Sequence, residues 1–209
     1  MQSYGLKVNT KYNLSDYASK IMTTAGDVIL FESGVYKIYC DGDIFIKHNI
    51  VKGLMHITCI SVRDDIKINI EAKGEINEEL SDIYHQVIIQ NKNVEVNINA
   101  KGIVDNLAKI IYRSNIKNYD GKDKLNLNSS KKEIEIGSGS GKQKAEFLKM
   151  SDMSEIDAEP SLDIIGDSFK SSHSFSTMCI SEEKKNYLSL HGYEYTDIEK
   201  EIKDSFLNI

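Results

Sequence analysis

The chain has 209 residues, 40% of them hydrophobic and 28% charged, the proportions of a globular protein with enough apolar material for one large all-β domain or two small ones. A formal net charge of −6, with no concentrated Lys/Arg stretch, argues against a nucleic-acid partner. No apolar run approaches the roughly 20 residues that cross a bilayer and no leader-like stretch opens the chain, so the expectation is a cytoplasmic protein without membrane contact.

Residues 1–26 read as an N-terminal segment, 27–180 as a β core and 181–209 as a C-terminal helical docking region. Within the core, short alternating strands are separated by polar or glycine-bearing turns, at Val28 to Phe31, Val35 to Tyr39, Ile44 to Ile46, Ile66 to Ile70, Val94 to Ile98 and Ile134 to Ile136. Each puts β-branched residues on one face. Ile66-Lys-Ile-Asn-Ile-Glu-Ala-Lys-Gly74 and Val94-Glu-Val-Asn-Ile-Asn-Ala-Lys-Gly102 share one template, an internal repeat. Stacked coils of a β-helix produce such a repeat, and a sandwich with two similar strands fits the same residues.

Cys40, Cys59 and Cys179 are odd in number and widely spaced, so they read as free buried thiols rather than a disulfide framework or a zinc site. His56 and Cys59 have an odd spacing, which in a strand sends them to opposite faces. His48 and His85 sit beside polar turns and read as surface residues. Acids cluster at Asp64-Asp65, Glu78-Glu79 and Asp152 to Asp157. On a β-helix, paired carboxylates open an alternative reading as a carbohydrate-active protein, although no tryptophan is present to stack on sugars.

Glu135 to Lys144, with Gly137-Ser-Gly-Ser-Gly-Lys142, reads as a flexible turn. A phosphate-binding loop would need glycine where Ile136 stands and a hydroxyl where Gln143 stands. His173, in Ser171-Ser-His-Ser-Phe-Ser-Thr177, falls where strands give way to helices; it is a candidate metal ligand, general base or structural residue. Beyond it, Ser181-Glu-Glu predicts an N-cap with acids in the first turn, and Gly192 predicts the stop. A second helix is expected to start at the capping box Thr196-Asp-Ile-Glu199, with Ile198, Ile202 and Phe206 on one stripe and His191 ending the first helix.

Pro160-Ser-Leu-Asp-Ile164, Ser172-His173, Ile180-Ser-Glu-Glu183, Tyr187-Leu188, Gly192 and Phe206 follow one another in an order and spacing that resembles the closing segment of the SufB/SufD family. Ile110 to Ile116 and Leu148-Lys-Met-Ser151 look like two further family elements upstream. The resemblance implies an all-β core, a right-handed parallel β-helix with a C-terminal helical hairpin. It implies a non-enzymatic subunit of an iron–sulfur cluster assembly complex that docks a SufC-type ATPase and pairs, as homodimer or heterodimer, with a SufB/SufD-type subunit. Tyr187, Leu188, Gly192, Ile198, Ile202 and Phe206 are then the candidate partner-binding residues. His173 is the candidate ligand for iron or a transient iron–sulfur cluster. Ala145 stands near the position of a B-type cysteine and Ser174 where the B type carries glutamate, so the chain is closer to the D type and short for the family. A diverged paralogue that only dimerises is the remaining alternative.

Overall fold

In the computed structural model, residues 19–118, 137–164 and 169–208 are described. The strands expected at Val28 to Phe31 and Ile44 to Ile46 are parts of longer elements, and Ile134 to Ile136 lies outside the described residues.

The first two strands each run through a corner. In β1 (Lys20–Leu30) and β2 (Gly34–Asn49), Lys20 to Thr24 pairs with Tyr36 to Cys40, and Gly26 to Leu30 with Ile44 to His48. The two halves of β2 then feed different partners: Gly34 to Cys40 pairs with β3 (Gly53–Ser61), Ile44 to Asn49 with β4 (Lys67–Asn77). From there the chain alternates between two flanks. β5 (Leu80–Ile89), β7 (Lys109–Asn118) and β9 (Glu155–Asp163) follow β3; β6 (Val94–Asp105), β8 (Gly139–Lys149) and β10 (Phe169–Cys179) follow β4. All pairings are parallel. The result is a parallel β-helix, its flanks facing one another across a common interior, followed by a hairpin of α1 (Glu182–Leu190) and α2 (Tyr195–Asn208) that packs on β6 and β8.

The internal repeat is a stacked pair. Lys67 lies over Glu95, Ala72 over Ala100 and Gly74 over Gly102. Asn97 donates to Asn69, 28 residues earlier, at 3.0 Å on the outer face. The period-two pattern sends Ile68, Ile70 and Ala72 of β4, and Val96, Ile98 and Ala100 of β6, into the interior. There Ile68, Ile70, Val96 and Ile98 meet Met55, Ile57 and Cys59 of β3 and Val87 and Ile89 of β5 from the opposite flank, while Ala72 and Ala100 cluster with Ile83, Ile110 and Tyr112. Stacking like on like lets each coil cover its neighbour's apolar face.

Several expectations are corrected by this register. Gly139 to Lys144 is the first half of β8, not a flexible turn; the glycines are there because other groups approach closely, backbone at Gly139 and side chains at Gly141. A Cβ on Gly139 would lie 1.9 Å from the Val94 carbonyl oxygen, and one on Gly141 would meet Ile116 and Phe169. Cys40 and Cys59 are buried, the Cys59 thiol pushed well up by its hydrogen bond with Cys40 and by burial, but Cys179 is exposed on β10. His48 and His85 are buried too. Strand alternation puts His48 on the face of Ile44 and Ile46, and His85 on that of Ile83 and Val87. His56 and Cys59 do point to opposite faces, His56 outward.

Candidate functional site: the hairpin face and the open end of the stack

Ser181 caps α1, its hydroxyl accepting from the Lys184 amide, with Glu182 and Glu183 in the first turn. Gly192, at φ +93°, ends the helix, in a conformation a side chain would strain. The second helix starts at Tyr195, one residue before the expected box, its first amides bonding the Glu194 carbonyl. Glu199 is drawn elsewhere. Its carboxylate and that of Glu182 each lie 2.9 Å from the ammonium of Lys185, which also donates to the Met150 carbonyl at 2.8 Å. Only 3% of the Lys185 side chain is exposed, and hydrogen bonds to the two carboxylates outweigh burial and hold it charged.

This cation ties the helices to each other and to the end of β8. A second clamp lies further along α2, where Lys203 pairs with Glu75 of β4 and Asp105 of β6. Between the clamps Phe206 is buried on Ile103, Leu148 and Met150, with Ile180, Ile202 and Leu207 around it and Lys101 over its ring. Ile198 is buried as well. Of the candidate partner-binding residues, Ile198 and Phe206 are therefore occupied within the protein and Ile202 partly so. Tyr187 and Gly192 are exposed and Leu188 is half-buried.

Two residues not singled out from the sequence join Tyr187 on the solvent side. Leu190 is 87% exposed and Tyr193 60%. A groove of about 690 Å³ runs beside them, lined by Leu188, Tyr193, Ile198 and Ile202 with Asp197, Lys200, Glu201 and Asp204 at its edges. The signal was present: aromatic and aliphatic residues around a glycine stop cannot all face the interior of so short a helix.

His173 stands in the last coil. β10 pairs with β8 on one side, placing His173 beside Gln143, and β9 pairs with β7. Among the described residues no strand pairs with the other edge of β9 or β10. Every residue of β10 after Phe169 is exposed, including Phe175 at 41%, and Ile156, Ala158 and Leu162 of β9 are only partly covered. Pro160 fits this position. The Glu155 amide points to β7, so alternation aims the proline nitrogen at the open edge, where no ladder bond is lost. Among the described residues no three His, Cys, Asp or Glu side chains are grouped to hold a metal ion.

On the outer face of the other flank, Asp82 accepts from Arg113 and lies 3.3 Å from His56 Nε2, with Tyr84 against both the imidazole and the guanidinium. Burial alone would raise the Asp82 pKa, but the hydrogen bonds from His56 and Arg113 outweigh it and hold the carboxyl below the usual range. The acids noted in turns also have structural partners. Asp64 accepts from the Lys92 amide, Asp65 from Asn93, and Glu79 pairs with Lys52.

No family model matches the chain, and no curated protein matches it in sequence. No helix among the described residues is long and apolar enough to cross a membrane. The geometry of the two exposed regions therefore carries the functional reading.

Proposed function

We propose that the protein is a non-enzymatic, SufD-like subunit of an iron–sulfur cluster assembly complex, docking a SufC-type ATPase through its C-terminal hairpin and pairing with a SufB/SufD-type subunit. The observation that carries the docking is the apolar face of Tyr187, Leu190 and Tyr193 on a hairpin whose opposite side is clamped to the sheet by Lys185, Lys203 and Phe206. A rigidly held aromatic anchor loses little freedom on binding. Pairing is supported by the edges of β9 and β10, which no strand among the described residues covers, above partly covered core residues, which a second sheet end would satisfy. His173 lies on that end, and an imidazole nitrogen is a suitable ligand for iron. A cluster held there as cargo would draw its other ligands from the paired subunit.

Co-expression with a tagged SufC-type ATPase tests the docking. The expected result is co-purification of the wild-type chain and its loss on combining Tyr187→Ser with Leu190→Ser. Failure of the wild type to associate, with or without nucleotide, would sink the reading. Iron retained by the paired complex, and lost on His173→Ala without loss of pairing, is the expected signature of the histidine's role.

A further inference from the structure

The middle of the stack holds two histidines edge-on to one another, their ring planes 76° apart. His48 on β2 and His85 on β5 come from opposite flanks, and their Nε2 atoms are 2.7 Å apart, with 4% and 0% of each residue exposed. The protons can be placed by elimination. His48 Nδ1 lies 2.9 Å from the Asn49 carbonyl oxygen, an acceptor only, so it carries a hydrogen and donates. A neutral His48 then has a bare Nε2, which must accept from His85 Nε2–H. That leaves His85 Nδ1 bare, and it is buried without a hydrogen-bond partner. One arrangement of the neutral pair fits, and it has no place for another proton.

The surroundings offer such a proton no counter-charge. Tyr112 and Ser114 face the pair from β7, and the Tyr112 hydroxyl is itself buried and unpartnered. His56 of β3 adds only repulsion if protonated. Ala72 of β4, beside His48 in register, and Ala100 and Ala145 behind it make the room the rings fill. Gln143 of β8 spends its amide on Ser114 and the Ser161 carbonyl. Lys47, Lys73 and Glu71 line a surface groove that His48 borders, two cations to one carboxylate.

We propose that the His48–His85 pair is an acid-sensitive latch that holds the middle coils closed only while both rings are neutral. Burial lowers both pKa values, that of His85 strongly, with the neighbouring histidines adding to the effect. The sign follows directly. A histidine with a depressed folded-state pKa stabilises fully above its unfolded value near 6.5, and that stability is lost as pH falls below it. Two such groups would raise the unfolding constant by up to about 100-fold per pH unit, well before the carboxylates titrate near pH 4.

Urea unfolding of the full chain between pH 7.5 and 5.0 reads this out. The wild type is expected to lose stability with a slope of more than one proton, and the double variant His48→Leu with His85→Leu to lose most of that slope. Ring-proton NMR of the wild type covers the case in which the variant fails to fold: His85 is expected to remain neutral at pH 5.5 and His48 to titrate below its ordinary value, with its neutral form protonated at Nδ1. Equal slopes in wild type and variant, or either ring titrating near pH 6.5 in the folded protein, would overturn the proposal.

Discussion

The middle coils and the C-terminal end of this molecule are built on opposite principles. Between β2 and β8 both neighbours of every coil are present, and Ile38, Ile57, Ile70, Ile98 and Phe147 have almost no exposed surface. In the last coil and the hairpin, the same kinds of residue are half-covered, and a few charged clamps do the holding. The difference separates roles. Continuous burial turns the apolar residues of the middle inward, whereas the end keeps apolar groups in solvent on a frame stiff enough to present them.

The largest test of the contrast is to truncate a phenylalanine in each region. Phe147→Ala should cost about 3–5 kcal/mol in chemical denaturation, because the site is closed on all sides and cannot collapse. Phe175→Ala, which tilts against Phe147 from the last coil, should cost about 1–2 kcal/mol. Similar losses would mean that β10 is as well packed as the middle.

Lys185→Met should cost about 2 kcal/mol, less than the 3–5 typical of a fully buried pair because Glu182 and Glu199 retain some access to water. Hydrogen exchange should show the loss confined to α1 and α2, with β4 and β6 as protected as before. Spread of the loss into the sheet would show that the hairpin is part of the core.

Asp82→Asn should cost about 1–2 kcal/mol at pH 7, since it leaves Arg113 with a weaker acceptor. The pH dependence has a definite sign. A carboxyl held below its unfolded value contributes fully above about pH 4, and that part is lost as pH falls through the folded value. Acid unfolding below pH 4 should therefore be shallower in the variant than in the wild type. The smallest effect is expected at the exposed hairpin face, where Leu190→Ser should change stability by no more than about 0.5 kcal/mol.

Much of this architecture was legible in the chain. The template shared by Ile66 to Gly74 and Val94 to Gly102 announced stacked coils because in-register stacking demands like residues at like positions. Ser181 and Gly192 announced α1 by chemistry that is local to helix ends. Less legible were residues whose surroundings come from distant sequence. His48 and His85 looked like surface residues because their neighbours along the chain are polar, yet alternation with Ile46 and Val87 already placed them inward. The glycines of β8 looked flexible because nothing local reveals that the Val94 backbone lies against Gly139. At the hairpin, the stripe Ile198, Ile202 and Phe206 was readable, but which face meets the sheet and which meets solvent depended on Lys185 reaching the Met150 carbonyl and Lys203 reaching Glu75 and Asp105, all distant in sequence.

The register of β4 on β6 makes the cross-section of the stack a repeating unit of 28 residues rather than a single irreplaceable core. Length is then an adjustable property. A duplicated copy of residues 66–93, spliced in register, should lengthen the molecule by one strand spacing, about 4.8 Å, and carry the hairpin and the open end with it. Both surfaces would thus move together, further from the β1 end of the stack, without either being altered.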